Sequence, residues 1–192
     1  MDFRDKLFSW RSFTPLPFVA LMLAFAEPTC PSLAAGGIVA LLGEGMRFWG
    51  VAYAGSLTRV TGSVGAPALV VAGPFARVRN PLYIGNILLY VGVGIMSRAL
   101  WPWLTAAALG WFVLQYHLIV SREEEFLTKE FGGAYSEYRQ HVPRFLIRLV
   151  PWRHASQDQQ LPSWSDAVRS ERRTWQAIGL VTVILAAVWW WR

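Results

Sequence analysis

Two arginines, an asparagine, a proline and a tyrosine crowd into "GPFARVRNPLYIGN", residues 73–86, at the edge of an apolar run. Such a group suits the binding of an anion. Gly73-Pro74 is turn chemistry, and Asn80-Pro81 pushes Asn80 out of the helical region while Pro81 opens a helix. Arg77 and Arg79 then approach a helix N-terminus, where unpaired N–H groups and the helix dipole favour negative charge. That is a seat for a carboxylate or phosphate. The same two arginines also serve as ordinary anchors at a membrane surface, and the residues alone leave both readings open.

A second stretch, "YHLIVSREEEFLTKEFGGAYSEYRQHVPR" (116–144), carries acids, tyrosines and a histidine. Continued as a helix at about 100° per residue, it places His117, Val120, Glu124, Leu127 and Phe131 on one face. Glu124, set among apolar neighbours, is expected to face protein. Tyr116 and Glu123 share an adjacent stripe. Each pair spans two turns, about 10 Å at the standard rise, a length that suits a nucleoside-sized ligand. Gly132-Gly133 ends this helix, and residues 134–140 begin a short one stopped by Val142-Pro143. Simpler roles stand beside these. Glu125 fits a solvated face, His117 a hydrogen bond within the bundle, and Tyr135 and Tyr138 interfacial anchors.

The elements that must hold these residues are apolar. The 192-residue chain is 54% hydrophobic and only 16% charged, with eleven tryptophans. Soluble domains carry about 25% charged residues, so the solvent implied is lipid. The length fits a single domain over 1–192. The net charge of +6 forms no aromatic-interleaved patch of the kind that binds nucleic acid. It lies between hydrophobic stretches, as in a protein facing anionic lipid. The one cysteine, Cys30, excludes an internal disulfide and argues against a cysteine metal site; no metal is expected.

Five segments are expected to cross the bilayer, at 7–26, 33–55, 81–97, 99–120 and 175–191, the last ending in an aromatic anchor. The fold expected is all-α, a multi-pass transmembrane helix bundle with a cytoplasmic helical cofactor-binding region. The first segment also has the look of a signal peptide, and a retained helix is the reading adopted. Loop charges orient the bundle. Arg4, Lys6 and Arg11 precede or open the first segment; Arg59, Arg77 and Arg79 lie between the second and third; nine bases fall from Arg122 to Arg173. The N-terminus and both motifs are thus expected in the cytoplasm, and the C-terminus outside. Residues 154–166 read as a polar surface linker. Glu44 and Arg47 can pair within one helix, and "GEG" (43–45) and "GVG" (92–94) suit close helix packing.

These two motifs, in this order with a hydrophobic hairpin between, resemble those of the isoprenylcysteine carboxyl methyltransferase family, which includes phospholipid methyltransferases. "GPFARVRNPLYIGN" is similar to its Gly-Pro-aromatic turn followed by Arg-His-Pro-x-Tyr-x-Gly. "EEEFLTKEFGGAYSEYRQHVPR" is similar to its Glu-Glu-x-x-Leu, Phe-Gly-x-x-Tyr-x-x-Tyr and Val-Pro-Arg. The resemblance covers 73–148; the segment at 175–191 is extra. It implies S-adenosylmethionine as methyl donor and a lipophilic acceptor, a prenylcysteine-like carboxylate or a phospholipid amine. It implies Arg79 and Glu124 in the catalytic centre, with Asn80, Pro81, Tyr83 and Glu123 around the cofactor. Tyr116 and His117 join that set from their helix stripes. Asn80 stands where many members have histidine; it can hydrogen-bond but not act as a base near neutral pH. Membrane lipid is the expected surrounding, with no nucleic acid and no obligate protein partner, in what reads as a prokaryotic inner membrane. A small transporter or assembly protein, and a reductase similar to sterol reductases, are the alternatives.

Overall fold

The computed structural model describes residues 3–55 and 68–192; Arg59, one of the orienting bases, lies outside them. Among the described residues there are six α-helices, two short 3-10 turns and no strand. The all-α expectation holds.

The segment expected over 7–26 is two helices, α1 (Phe3–Trp10) and α2 (Pro15–Ala24), bent by 50°. Pro15 and Pro17 lack the N–H groups that would continue a helix from α1, so the chain restarts with Pro15 in its first turn. Next comes α3 (Cys30–Ala54), begun by a capping box. Thr29 accepts from Ser32 N at 3.2 Å, and Ser32 Oγ accepts from Thr29 N at 2.8 Å. The following helix, α4 (Pro81–Ser97), starts and stops where its proline and its flanking Arg98 imply.

The longest helix is α5 (Trp103–His141), 39 residues with non-helical geometry at Gly132, φ 51° and ψ −117°. That is the break expected at Gly132-Gly133. A side chain there is strained, and nothing lies within 4 Å to compensate. Gly132→Ala is expected to cost about 1–3 kcal/mol, read by thermal unfolding in detergent. A variant as stable as wild type would show the break to be incidental.

The last helix corrects the sequence reading. α6 runs Trp164–Trp191, starting well before Trp175. Its first turns carry Asp166, Arg169, Glu171, Arg172 and Arg173, a charged face that an apolar pattern misses. The linker at 154–166 is also more than a surface loop. Gln160 accepts from Val71 N at 2.8 Å and donates to Leu69 O at 2.9 Å, while Gln157 donates to Val71 O at 2.9 Å. Ser163 N donates to Ala52 O at 2.7 Å, joining the start of α6 to the end of α3.

Among the described residues two helices, α5 and α6, are long and apolar enough to cross a membrane, or three when the bent α1–α2 pair is taken as one span. This is fewer than the five expected. α4 is apolar but only 17 residues long. α3 is long enough, but Glu44, Arg47 and five glycines dilute its apolar character. α5 measures ~58 Å at the standard rise, roughly twice the hydrocarbon thickness, so its charged half extends beyond its apolar half.

The α3–α4 contact is backbone against backbone. A Cβ on Gly36 would lie 2.4 Å from Gly92 O, one on Gly43 2.7 Å from Gly85 O, and one on Gly92 2.6 Å from Ala40 N. Small residues allow such approach between apolar helices. Gly43, Gly92 and Gly94 thus pack as the sequence suggests, whereas Gly45 meets nothing within 4 Å. The core beside this seam is built from Met22, Val93, Met96, Phe112, Tyr116 and Leu185.

Candidate functional site

The opening of α4 and the charged half of α5 face one another. Between them lie an irregular ribbon before Pro81 and the turn after α5. Arg79 N donates to Pro143 O (2.9 Å), Arg148 N to Arg77 O (3.0 Å) and Trp152 N to Ala76 O (2.8 Å). Tyr138, buried in α5, donates its hydroxyl to Phe75 O at 2.8 Å. The turn residues of the two motifs therefore form one structural unit.

Arg79 and Glu124 meet inside it. Glu124 Oε1 accepts from Arg79 Nε (3.1 Å) and Nη2 (2.7 Å), and Arg79 Nη1 donates to Arg139 O (3.1 Å) and Val142 O (2.7 Å). Arg144 adds Nε to Oε1 at 3.1 Å and Nη2 to Oε2. With side chains 9% and 8% exposed, Arg79 and Glu124 form a buried pair, and Arg144 at 29% closes it from the rim. The expected inward face of Glu124 is correct. Its partners, however, are two arginines. Arg79 is aimed at a protein carboxylate, and Arg144 was missed as its second cation although it lies in the quoted motif. Arg77 is more than a surface anchor, since its guanidinium donates to Arg148 O at 3.2 Å and to Leu149 O.

A second set lies beside this pair. Tyr83 donates its hydroxyl to Glu123 Oε1 at 2.7 Å, and its ring stacks on Tyr116 with centroids 4.7 Å apart. Tyr116 is itself buried between Tyr83 and Phe112. α1 covers the set. Asp5 accepts from Arg122 Nε at 2.9 Å and Glu125 from Arg4 Nη1 at 2.6 Å, while Arg11 lies near enough to couple with Tyr83 and Glu123. Its guanidinium sits 3.8 Å above the Phe8 ring.

Of the residues singled out from sequence, Arg79, Asn80, Pro81, Tyr83, Tyr116, Glu123 and Glu124 come together. His117 does not; it is exposed, two turns before Glu124 on the same face of α5. The helical face drawn through His117 and Glu124 is buried at Val120 and Glu124 and half-buried at Leu127 and Phe131, because the neighbouring helices cover α5 unevenly along its length.

Two features offer hydrogen-bonding capacity of opposite sign, as a zwitterionic ligand requires. Asn80 gives α4 no side-chain cap, its Nδ2 donating instead to Arg144 O at 3.1 Å, so the first-turn N–H groups stay uncapped. Among the described residues Glu123 receives one hydroxyl on one oxygen, which leaves acceptor capacity on the other. Arg79 does not fit as it stands, since four of its five N–H donors are taken within the protein. No three His, Cys, Asp or Glu side chains cluster as metal ligands among the described residues.

Comparison with known proteins agrees with the motifs. The phospholipid methyltransferase family profile matches residues 31–134. The cobalt-zinc-cadmium resistance protein CzcN of Cupriavidus metallidurans is 33% identical over 105 residues, 55% of this chain and 44% of its own length. The nickel-cobalt-cadmium resistance protein NccN of Alcaligenes xylosoxydans xylosoxydans is 28% identical over 158 residues, 80% of this chain and 70% of its own length. The chain therefore spans under half of the first relative. No solved structure matches it.

Proposed function

The chain belongs to the phospholipid methyltransferase family, and from that premise we propose that it transfers a methyl group from S-adenosylmethionine to a lipophilic acceptor within the membrane. The observation that carries this reading is the juxtaposition of an uncapped α4 N-terminus with Glu123, linked through Tyr83. When bound, S-adenosylmethionine supplies a methyl group on a sulfonium, ready for in-line displacement.

This chain's own residues bind and orient. The first-turn N–H groups of α4 receive the donor's carboxylate. The open oxygen of Glu123 receives its ammonium or a ribose hydroxyl. The Arg79–Glu124–Arg144 cluster fixes the ribbon and the turn around them, and α1 excludes water from above. Glu124 and Arg79 thus act by holding the walls. A lipid acceptor, prenylcysteine-like or amine-bearing, enters sideways from the bilayer. In this reading α3 and α4 add further spans, five in all. The N-terminus and site face the cytoplasm of a prokaryotic inner membrane, as the loop charges suggest. A cysteine probe in the linker after Trp152 would then label from the cytoplasmic side; labelling from outside inverts the bundle.

The deciding experiment is calorimetric titration of detergent-purified protein with S-adenosylmethionine and, in parallel, NADPH. Donor binding alone is expected, and Glu123→Gln should weaken it about tenfold, the equivalent of ~1.4 kcal/mol. Absence of donor binding overturns the reading, and NADPH binding redirects it to a reductase. The names of the two relatives favour one addition, that the methylated product supports tolerance of metals such as cobalt and cadmium. Growth of a deletion strain on those metals tests it.

A further inference from the structure

Beyond the Arg79–Glu124 site, the bundle holds a second polar cluster, which takes in Asn86 from the end of the first motif. Arg47 of α3 donates from Nη2 to both carboxylate oxygens of Glu171 on α6, at 3.0 and 2.8 Å. From Nη1 it donates to Asn86 Oδ1 of α4, and its Nε lies 3.4 Å from Glu44 Oε2. Trp175 of α6 donates to Glu44 Oε1 at 2.5 Å. Glu171 is wholly buried. Cohesion alone does not call for such a cluster, because apolar residues of similar volume hold helices together as well or better. Ionisable groups inside a membrane bundle usually serve a site.

The contacts lead to one. Asn86 lies one turn beyond Tyr83 on α4, so the two side chains are neighbours on the helix surface. Tyr116 stacks on Tyr83, and Tyr83 holds Glu123. From Glu171 the contacts run through Arg47 to Asn86, which neighbours Tyr83 on α4, and from Tyr83 to Tyr116 and Glu123. Glu171 lies outside the residues matched by the family profile, 31–134.

We propose that Glu171 is a positioning residue for the candidate site. By holding Arg47 it fixes Asn86, and Asn86 fixes the Tyr116–Tyr83 stack that orients Glu123. Without Glu171 the guanidinium keeps only Glu44, on its own helix, and its grip on Asn86 loosens. The inference rests on the methyltransferase reading for its affinity measurement alone.

The test is a double-mutant cycle in the full chain, read by calorimetric titration with S-adenosylmethionine. Glu171→Gln and Tyr83→Phe are each expected to weaken binding five- to tenfold, and the double variant to be scarcely weaker than either. Distant residues on different helices otherwise give additive losses. Additive losses, or a Glu171→Gln protein that melts earlier yet binds as wild type, overturn the proposal. If Glu171→Gln does not fold, Asn86→Ala breaks the next link while leaving the Arg47–Glu171 pair, and the same coupling with Tyr83→Phe is expected. A readout independent of the donor is hydrogen exchange. Either variant should speed exchange at residues 83–86 and 116–123 relative to 103–112, and uniform or unchanged exchange overturns the proposal. A wild-type protein that binds no donor defeats the functional reading instead, and exchange then decides this one.

Discussion

Glu124→Ala is expected to destabilise the protein by about 3–5 kcal/mol, because two arginines lose their shared carboxylate in a largely buried site. Arg79 would keep its bonds to Arg139 O and Val142 O, but its charge would stay inside the protein uncompensated. Donor binding should vanish with the geometry, since the ribbon and the turn after α5 are joined there. Unfolding in a graded denaturing detergent measures the loss, and a shift under about 1 kcal/mol would remove Glu124 from this structural role. Glu125→Gln is the control. Its pairing with Arg4 is exposed at the surface, where such bridges contribute ~0–1 kcal/mol.

Glu124 also marks how far the sequence reaches. Its inward direction follows from helical periodicity, a property of one helix, and periodicity reads such properties well. The start of α4 at Pro81 and the break at Gly132 are legible for the same reason, as each is written in a local proline or glycine. The partners of Glu124 are not local. Arg79 and Arg144 reach it from 45 and 20 residues away, and any nearby base fits the pattern equally. Pro15 and Pro17 held the signal for the α1–α2 bend, but an even apolar composition across 7–26 masked it. Glu171 was the hardest to see. It lies in a run of charges that resembles solvated helix surface, and only the position of α3 turns it inward.

A larger loss still is expected at the α3–α4 seam. Gly92→Leu would drive a side chain into backbone, its Cβ already 2.6 Å from Ala40 N and 2.7 Å from Gly36 O. No rotamer change relieves contact with main-chain atoms, so the helices must separate. Overpacking typically costs about 1–3 kcal/mol, and backbone contact places this case above that range. The variant is expected to fail to accumulate as folded protein, judged by monodisperse elution after detergent extraction. Gly179→Ala, where nothing lies within 4 Å, should instead stabilise slightly through helix propensity. Normal elution of Gly92→Leu would mean that the seam tolerates a wider spacing.

The Arg47–Glu171 bridge has a consequence for how the chain is made. The two residues are 124 positions apart, so α3 leaves the ribosome long before its partner exists. In the proposed five-span arrangement, an unpaired arginine within α3 costs up to ~2.5–3.5 kcal/mol on insertion. During that interval Glu44, one turn away on the same helix, is the counter-ion within reach. Arg47 thus begins with one partner and gains a second, closer one when α6 arrives. The arrival of α6 becomes the step that completes the charge pairing, and a chain cut before Glu171 should be recognised by quality-control proteases as unfinished.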